Sequence, residues 1–422
     1  MKKTIYLFLL AVFLLCVPGC SRKEKGNDSK LGAGIVSEDF QRGNDSIMKT
    51  EKGYYYYDPE GKAIRYYDIA TGKDMYLCNK PECRHDGNAF CVATNEKYMM
   101  NRLWLYSNRI FAAVVEETDT QYLYKVLTIA LDGSEMSEFA TYMTLEKTGQ
   151  RPLGYSAGAL VCHRNKVMIP MGAAGEDGFE DTYYYGTAIL DLDTKETTYL
   201  DKEPLSKENP VVEEISAYKE HIYYYKKNGK KKVLHRYNVA DGTEESYTLQ
   251  PGFTGDYVVL DEDNIVYRRS FENVIFLYHP STGVSEEFKR LMITRSYLGV
   301  DGSELESKES YRISRMMTDG TYFYVLGSPA TYILKDGTEQ HKLLLRVLDH
   351  DFEEVVTINL AEIIPMKDDL EEGQWRWGEV NVLGEDLYFG WRGATETIYK
   401  CKRSDFLEGN PELEALYKLH YY

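Results

Sequence analysis

Cys78, Cys83, His85 and Cys91 fall within fourteen residues, CNKPECRHDGNAFC. Thiolates and an imidazole are ligands that zinc takes in tetrahedral sites. Cys83 and His85 are two apart, so on an extended backbone both point to the same side. Pro81 blocks a helix, which makes the segment a loop. A site closed by four protein ligands would be structural, because metal catalysis needs an open position. Three readings of the set stand side by side. One is a structural zinc or iron held by all four residues. Another is a local disulfide, with Cys78–Cys83 or Cys83–Cys91 most easily closed. The third is unpaired thiols.

Other residues invite chemistry less strongly. Trp375, Arg376 and Trp377 would make a stacking platform for a sugar ring or a peptide, or simply a packed loop. Gly154-Tyr155-Ser156-Ala157-Gly158 has the Gly-x-Ser-x-Gly form, but a strand-like run, ALVCH, follows it. A hydrolase nucleophile would need a helix there. Asp261-Glu262-Asp263, and Asp368-Asp369 with Glu371-Glu372, lack calcium-loop spacing and read as solvated turns. His163, His221 and His235 stand on or beside strands and read as satisfied sheet residues. No catalytic constellation is recognisable.

The elements that must carry these residues are strands. The chain has 422 residues, is 43% hydrophobic and contains 37 tyrosines, a composition suited to half-buried pleated surfaces. Its net charge of -17 argues against nucleic acid as a partner. The densest basic run, KKNGKKK at 226–232, centres on Asn-Gly and reads as a hairpin tip.

The N-terminus reads as an address. Lys2 and Lys3 precede an apolar run, Ile5 to Val17, which is short for a spanning helix. Val17-Pro18-Gly19-Cys20 follows and resembles the lipobox of bacterial lipoproteins. That resemblance implies a signal peptide at 1–19, cleavage before Cys20, and acylation of Cys20 on thiol and amine. An ordinary signal peptide with an incidental Cys20 is the other reading. Residues 20–45 are polar and Gly-rich and form the expected tether, with an apolar centre able to add one strand. About 25 flexible residues span on the order of 25–30 Å. The folded body would hang just off the outer face of a membrane.

From 46 to 422 the chain repeats one grammar. In YYYYDPEGKAIRYYDIATGKDMYL, from Tyr54 to Leu77, strands alternate with tight turns. Comparable units start near Arg102, Ala157, Glu213, Asp256, Tyr311 and Gly378. Third strands end at Asp68, Asp132, Asp191, Asp241 and Asp349, whose carboxylates can bond the backbone ahead. Gly72, Gly133, Gly242 and Gly283 then supply positive φ. Seven units of roughly 54 residues come near the about 40–50 of a four-stranded propeller blade. The expectation is an all-β, seven-bladed β-propeller of four-stranded antiparallel sheets. Six or eight blades, or two packed β-sandwiches, are the alternatives.

This pattern is similar to that of uncharacterised TolB-like and YWTD-like bacterial propellers. The cysteine segment resembles one in uncharacterised lipoproteins of anaerobic Firmicutes, which favours thiols that stay reduced. Function is expected to be non-enzymatic: a membrane-anchored binding module for a protein or glycan at one propeller end. The alternatives are a glycan- or peptide-acting enzyme using the central channel, and a structural part of an envelope complex.

Overall fold

Most strands carry apolar or aromatic residues on both faces. Residues 110–115 are buried one after another, and so are 54–56. A strand covered on both faces must sit between two other sheets, which a ring of radial sheets provides. The last strand of each sheet is different. Lys73–Tyr76 and Glu244–Tyr247 are polar and largely exposed, as outer edges must be.

The structure is a computed structural model. It describes residues 41–418, except 43–46, 59–60, 89, 154–159, 176–182, 230, 250–252, 270–273, 299–303, 311–312, 328–329, 334–338, 350, 365–377, 384 and 392–396.

The architecture is a seven-bladed β-propeller. Blade 1 spans 47–76, blade 2 98–146, blade 3 150–199, blade 4 211–247, blade 5 253–290, blade 6 313–359 and blade 7 378–418. Each blade is an antiparallel sheet whose strands pair in chain order from centre to rim. Seven apolar clusters of buried residues fill the seven seams between neighbouring blades. The seam between blades 2 and 3 is rich, with Phe111, Val126, Val167, Ile169 and Leu190. The seam that closes the ring, between blades 7 and 1, is small: Tyr54, Tyr56, Tyr388, Ile398 and Leu416. Polar contacts supplement it. The Tyr54 and Tyr388 hydroxyls lie 3.0 Å apart. Asp386 is 3% exposed and meets Lys49 at 2.7 Å and Lys402 at 2.9 Å. Among the described residues, the closing blades 1 and 7 exchange no strand with each other.

Alternating strand direction gives the ring two unlike ends. The first-to-second and third-to-fourth turns leave one end, called here the turn end. The interblade connections and second-to-third loops leave the other, the connection end. Turn-end links are short, as at 107–108, 164–165, 219–220 and 262–263. The longest is 403–413, which carries the helix Arg403–Leu407. Connection-end links reach 77–97, 291–312, 328–343 and 360–377. Two of these hold extra hairpins, Met292–Leu298 with Glu304–Ser310 and Ala330–Ile333 with Glu339–Lys342. The outer strands are rotated by sheet twist, so the end of one blade's fourth strand meets the third-to-fourth turn of the next. Lys289 thus pairs with Glu353 at 3.0 Å.

The turn grammar read from the sequence is present. Asp68 accepts from the Thr71 amide at 2.8 Å, and Asp241 from the Thr243 amide at 2.9 Å. Gly72, Gly133, Gly242 and Gly283 have φ between 64° and 74°. The Asn-Gly tip is a hairpin turn, with Asn228 paired to Lys231.

Other details differ from expectation. The sixth unit, read in sequence as returning from His341 to Ile358, begins its third strand only at Leu344, and His341 lies in the extra hairpin. The first strand of blade 3 is split into Gln150–Pro152 and Val161–His163. Gln41–Arg42, in the stretch read as tether, forms a strand on blade 4.

Candidate metal centre

The cysteine loop connects blade 1 to blade 2. Its neck is fixed at one residue of the third strand of blade 1. Ile64 accepts from the outgoing Leu77 amide at 2.9 Å and donates its own amide to the returning Ala93 carbonyl at 2.9 Å. Leu77, Val92 and Ala93 are buried there. Gly133 of blade 2 lies against the backbone of Leu77 and Cys78. A Cβ at that position would come within 2.7 Å of the Leu77 carbonyl.

Beyond the neck the loop closes on itself. The Cys83 amide bonds the Lys80 carbonyl across the Pro81 turn at 3.1 Å, and the Cys91 amide bonds Asn88 at 3.0 Å. His85 has φ 54° and Gly87 φ 85°, left-handed positions that fold the chain back. The outcome is convergence. One ligand atom from each of Cys78, Cys83, His85 and Cys91 lies within 4.8 Å of all the others. His85 Nδ1 stands 3.4 Å from Cys91 Sγ. Ligands of a tetrahedral zinc, with bonds of about 2.0–2.3 Å, stand roughly 3.3–3.8 Å apart. Small inward movements would suffice.

Neighbours orient the ligands. The Tyr76 ring stacks on His85 with centroids 4.6 Å apart. Arg65 also lies over the Tyr76 ring, 4.8 Å from its centroid, and is fixed by Asp74 at 2.7 Å. The Tyr56 hydroxyl donates to the same Asp74 at 2.8 Å. Thr94 donates to Cys91 Sγ from its hydroxyl at 3.2 Å and its amide at 3.4 Å. Such donors to ligand atoms are what tune a metal site.

Three thiols at one point hinder one another's ionisation. Burial opposes the Cys91 thiolate, yet the Thr94 hydroxyl, His85 and the Thr94 amide outweigh it and bring the pKa down to about 6. The His85 amide favours the Cys83 thiolate, but desolvation and the nearby Cys91 and Cys78 push Cys83 up. One thiolate forms readily and hinders the next. A bound cation removes that conflict by deprotonating coordinating thiols outright. All five described cysteines are free. One disulfide would use two of the three converging thiols and leave the imidazole without a role.

The other sites expected from sequence fare variously. Cys20, Trp375, Arg376, Trp377, the Gly154–Gly158 motif and the 368–372 acidic run lie outside the described residues. His163 is fully buried and bonds the Lys219 carbonyl. His235 pairs with Glu244 at 2.8 Å and stacks on Tyr224. The 261–263 acidic run is a braced turn, in which Asp263 accepts from the Ser281 amide at 2.7 Å. Sequence reasoning did not single out Tyr76 or Thr94. Their only signal is position, two before Cys78 and three after Cys91.

No family model and no curated protein matches this sequence. Among solved structures, it is similar to an oligogalacturonate lyase from Vibrio parahaemolyticus at 10% identity and TM-score 0.44, covering 91% of this chain and 89% of that one. It is also similar to the β-propeller domain of the Trilobed protease from Pyrococcus furiosus, at 13% identity, TM-score 0.39 and coverage of 76% and 83%. Virginiamycin B lyase from Staphylococcus aureus stands at 13%, 0.36, and 78% and 86%. These likenesses are distant, and what each protein does is its own property. No helix among the described residues is long and apolar enough to cross a membrane.

Proposed function

We propose that this protein is an extracytoplasmic lipoprotein, held to a membrane through Cys20, whose propeller is a binding module for a protein or glycan. Binding takes place at the connection end. The observation that carries this reading is the asymmetry of the ring: the long links 77–97, 291–312, 328–343 and 360–377 all leave that end. Loops on a rigid scaffold are where binding surfaces are built. The Cys/His group holds one structural zinc or iron that fixes the shape of the first of these loops. With four protein ligands the metal supplies ligation and no open position for catalysis.

Two measurements test this. Mass spectrometry of the membrane fraction is expected to find a lipid on Cys20; a full-length chain recovered soluble with Cys20 bare sinks the tether. A photo-crosslinking residue at exposed Asp119, on the connection end, is compared on cells with one at exposed Thr282, on the turn end. Adducts to a surface component at Asp119 and not at Thr282 are expected. Equal labelling at both, or labelling at Thr282 alone, overturns the assignment of the binding end.

A further inference from the structure

The strand Gln41–Arg42 pairs antiparallel with the first strand of blade 4, Gln41 opposite Ala217 and Arg42 opposite Ser216. That strand, Val211–Tyr218, has blade 4's second strand on its other side. It touches the first strand of blade 5 around the ring. The edge that receives Gln41–Arg42 is therefore the one lining the central channel. Gln41–Arg42 also touches Val161–His163, the first strand of blade 3. Gln41 and Arg42 thus lie inside the channel, against the walls of blades 3 and 4.

Strand direction settles how it gets there. Val211–Tyr218 runs toward the turn at 219–220, that is, toward the turn end. An antiparallel neighbour runs the opposite way, from the turn end toward the connection end. The first strand of blade 1, Ile47–Lys49, runs back toward the turn end and stands nearly opposite blade 4 in a seven-membered ring. Five residue steps from Arg42 to Ile47 reach at most about 18 Å. Arg42, opposite Ser216, thus lies near the turn-end mouth of the channel, within that reach of blade 1.

We infer that the chain enters the channel from the turn end at Gln41–Arg42, so the turn end faces the lipid surface and the connection end faces away. The channel is filled in part by the protein's own backbone and is not the ligand site. The threading stands on strand pairing alone; the orientation rests on the lipid tether proposed above.

The experiment separates the two. In the full chain, Arg42→Cys is combined with Ser216→Cys, and the oxidised protein is mapped by peptide mass spectrometry. A 42–216 disulfide is expected. Arg42→Cys with Ser314→Cys, on the exposed face of blade 6's first strand, is expected to give none. Absence of the 42–216 bond, or equal yield of both, overturns the threading. For orientation, the lipidated chain is bound to phosphatidylcholine vesicles containing nitroxide lipid, with a fluorophore at Thr282→Cys or Asp119→Cys. The larger loss of fluorescence is expected at position 282. Equal or reversed quenching overturns the orientation. A chain that forms the 42–216 bond but does not bind vesicles refutes the tether and leaves the threading in place.

Discussion

The two ends of this ring are made of the same strands and do different work. At the turn end the links are short and interlock with neighbouring blades. Arg403 reaches Asp319 across the seam of blades 6 and 7 at 2.6 Å, and Arg164 reaches Glu220 across the seam of blades 3 and 4 at 2.8 Å. At the connection end the chain is built outward. The cysteine loop is held at its neck by Ile64 and beyond that by Asn79 on Asp132 and Gly133 of blade 2 and by its own converging Cys and His side chains. One end therefore spends its polar groups on holding the ring, while the other presents surface. The contrast teaches that a rigid blade packing frees the opposite face to vary, since loops there carry little of the fold.

The comparison is sharpened most by removing the loop's own support. Cys83→Ser is expected to take metal content from about one zinc or iron per chain to none. Amide exchange should then rise across 78–91 while the turn end stays protected. Metal content unchanged by the substitution, or absent from the parent protein, refutes the site. Next in size is Gly133→Ala, at a turn that props the neck of the loop. It combines a left-handed φ of 69° with a backbone clash at 2.7 Å, a loss of about 2–4 kcal/mol in denaturant unfolding. Its counterpart is Gly229→Ala at the connection end, where φ is 59° and nothing lies within 4 Å. There only the backbone term remains, about 1 kcal/mol. Equal losses at the two glycines break the comparison.

Acid probes the turn end through Asp386. Burial works against its carboxylate, but the Lys49 and Lys402 ammonium groups outweigh it and hold the pKa below the usual range. A depressed carboxylate stabilises the fold above its unfolded pKa, about 3.9, and that contribution vanishes as pH falls through the folded value. Melting temperature followed downward from about pH 5 should therefore fall more steeply in the parent than in Asp386→Asn, which starts lower. The smallest effect is expected for Phe90→Ser. Phe90 is 81% exposed on the cysteine loop, and its loss should shift stability by less than about 0.5 kcal/mol.

Much of the ring is written locally, which is why it can be read. Asp68 and Asp241 with the glycines of their turns, and Asp191 with Lys195 in the same left-handed position, mark third-strand ends through contacts two or three residues away. The Cys/His group is legible for the same reason, since all four ligands come from one loop. The hairpins at 292–310 and 330–342 escape because they lie outside the seven sheets and their sequences lack the long apolar runs that mark blade strands. The strand Gln41–Arg42 escapes for a stronger reason. Two polar residues carry no period, and their place is set by an edge about 175 positions later in the chain. The aromatic support of His85 depends on the pairing of Arg65 with Tyr76 across two strands, which spacing alone does not reveal.

Each blade is completed by consecutive strands, and this bears on the order of assembly. A chain made N-terminus first presents its blades in order, and the four blade strands of every sheet here can pair once their own stretch has appeared. Blades 1 to 6 can stack in turn as an open arc. The circle is made last, when Tyr388 and Asp386 of blade 7 find Tyr54 and Lys49. That final docking joins residues more than 300 positions apart, so it is the contact a partly emerged chain must do without. An arc waiting for its last blade exposes the flank of blade 1, with Tyr54 and Tyr56 still uncovered. Aromatic side chains with hydroxyls tolerate that wait in water better than the aliphatic residues, such as Leu105, Ile110 and Leu127, that fill the seam between blades 1 and 2.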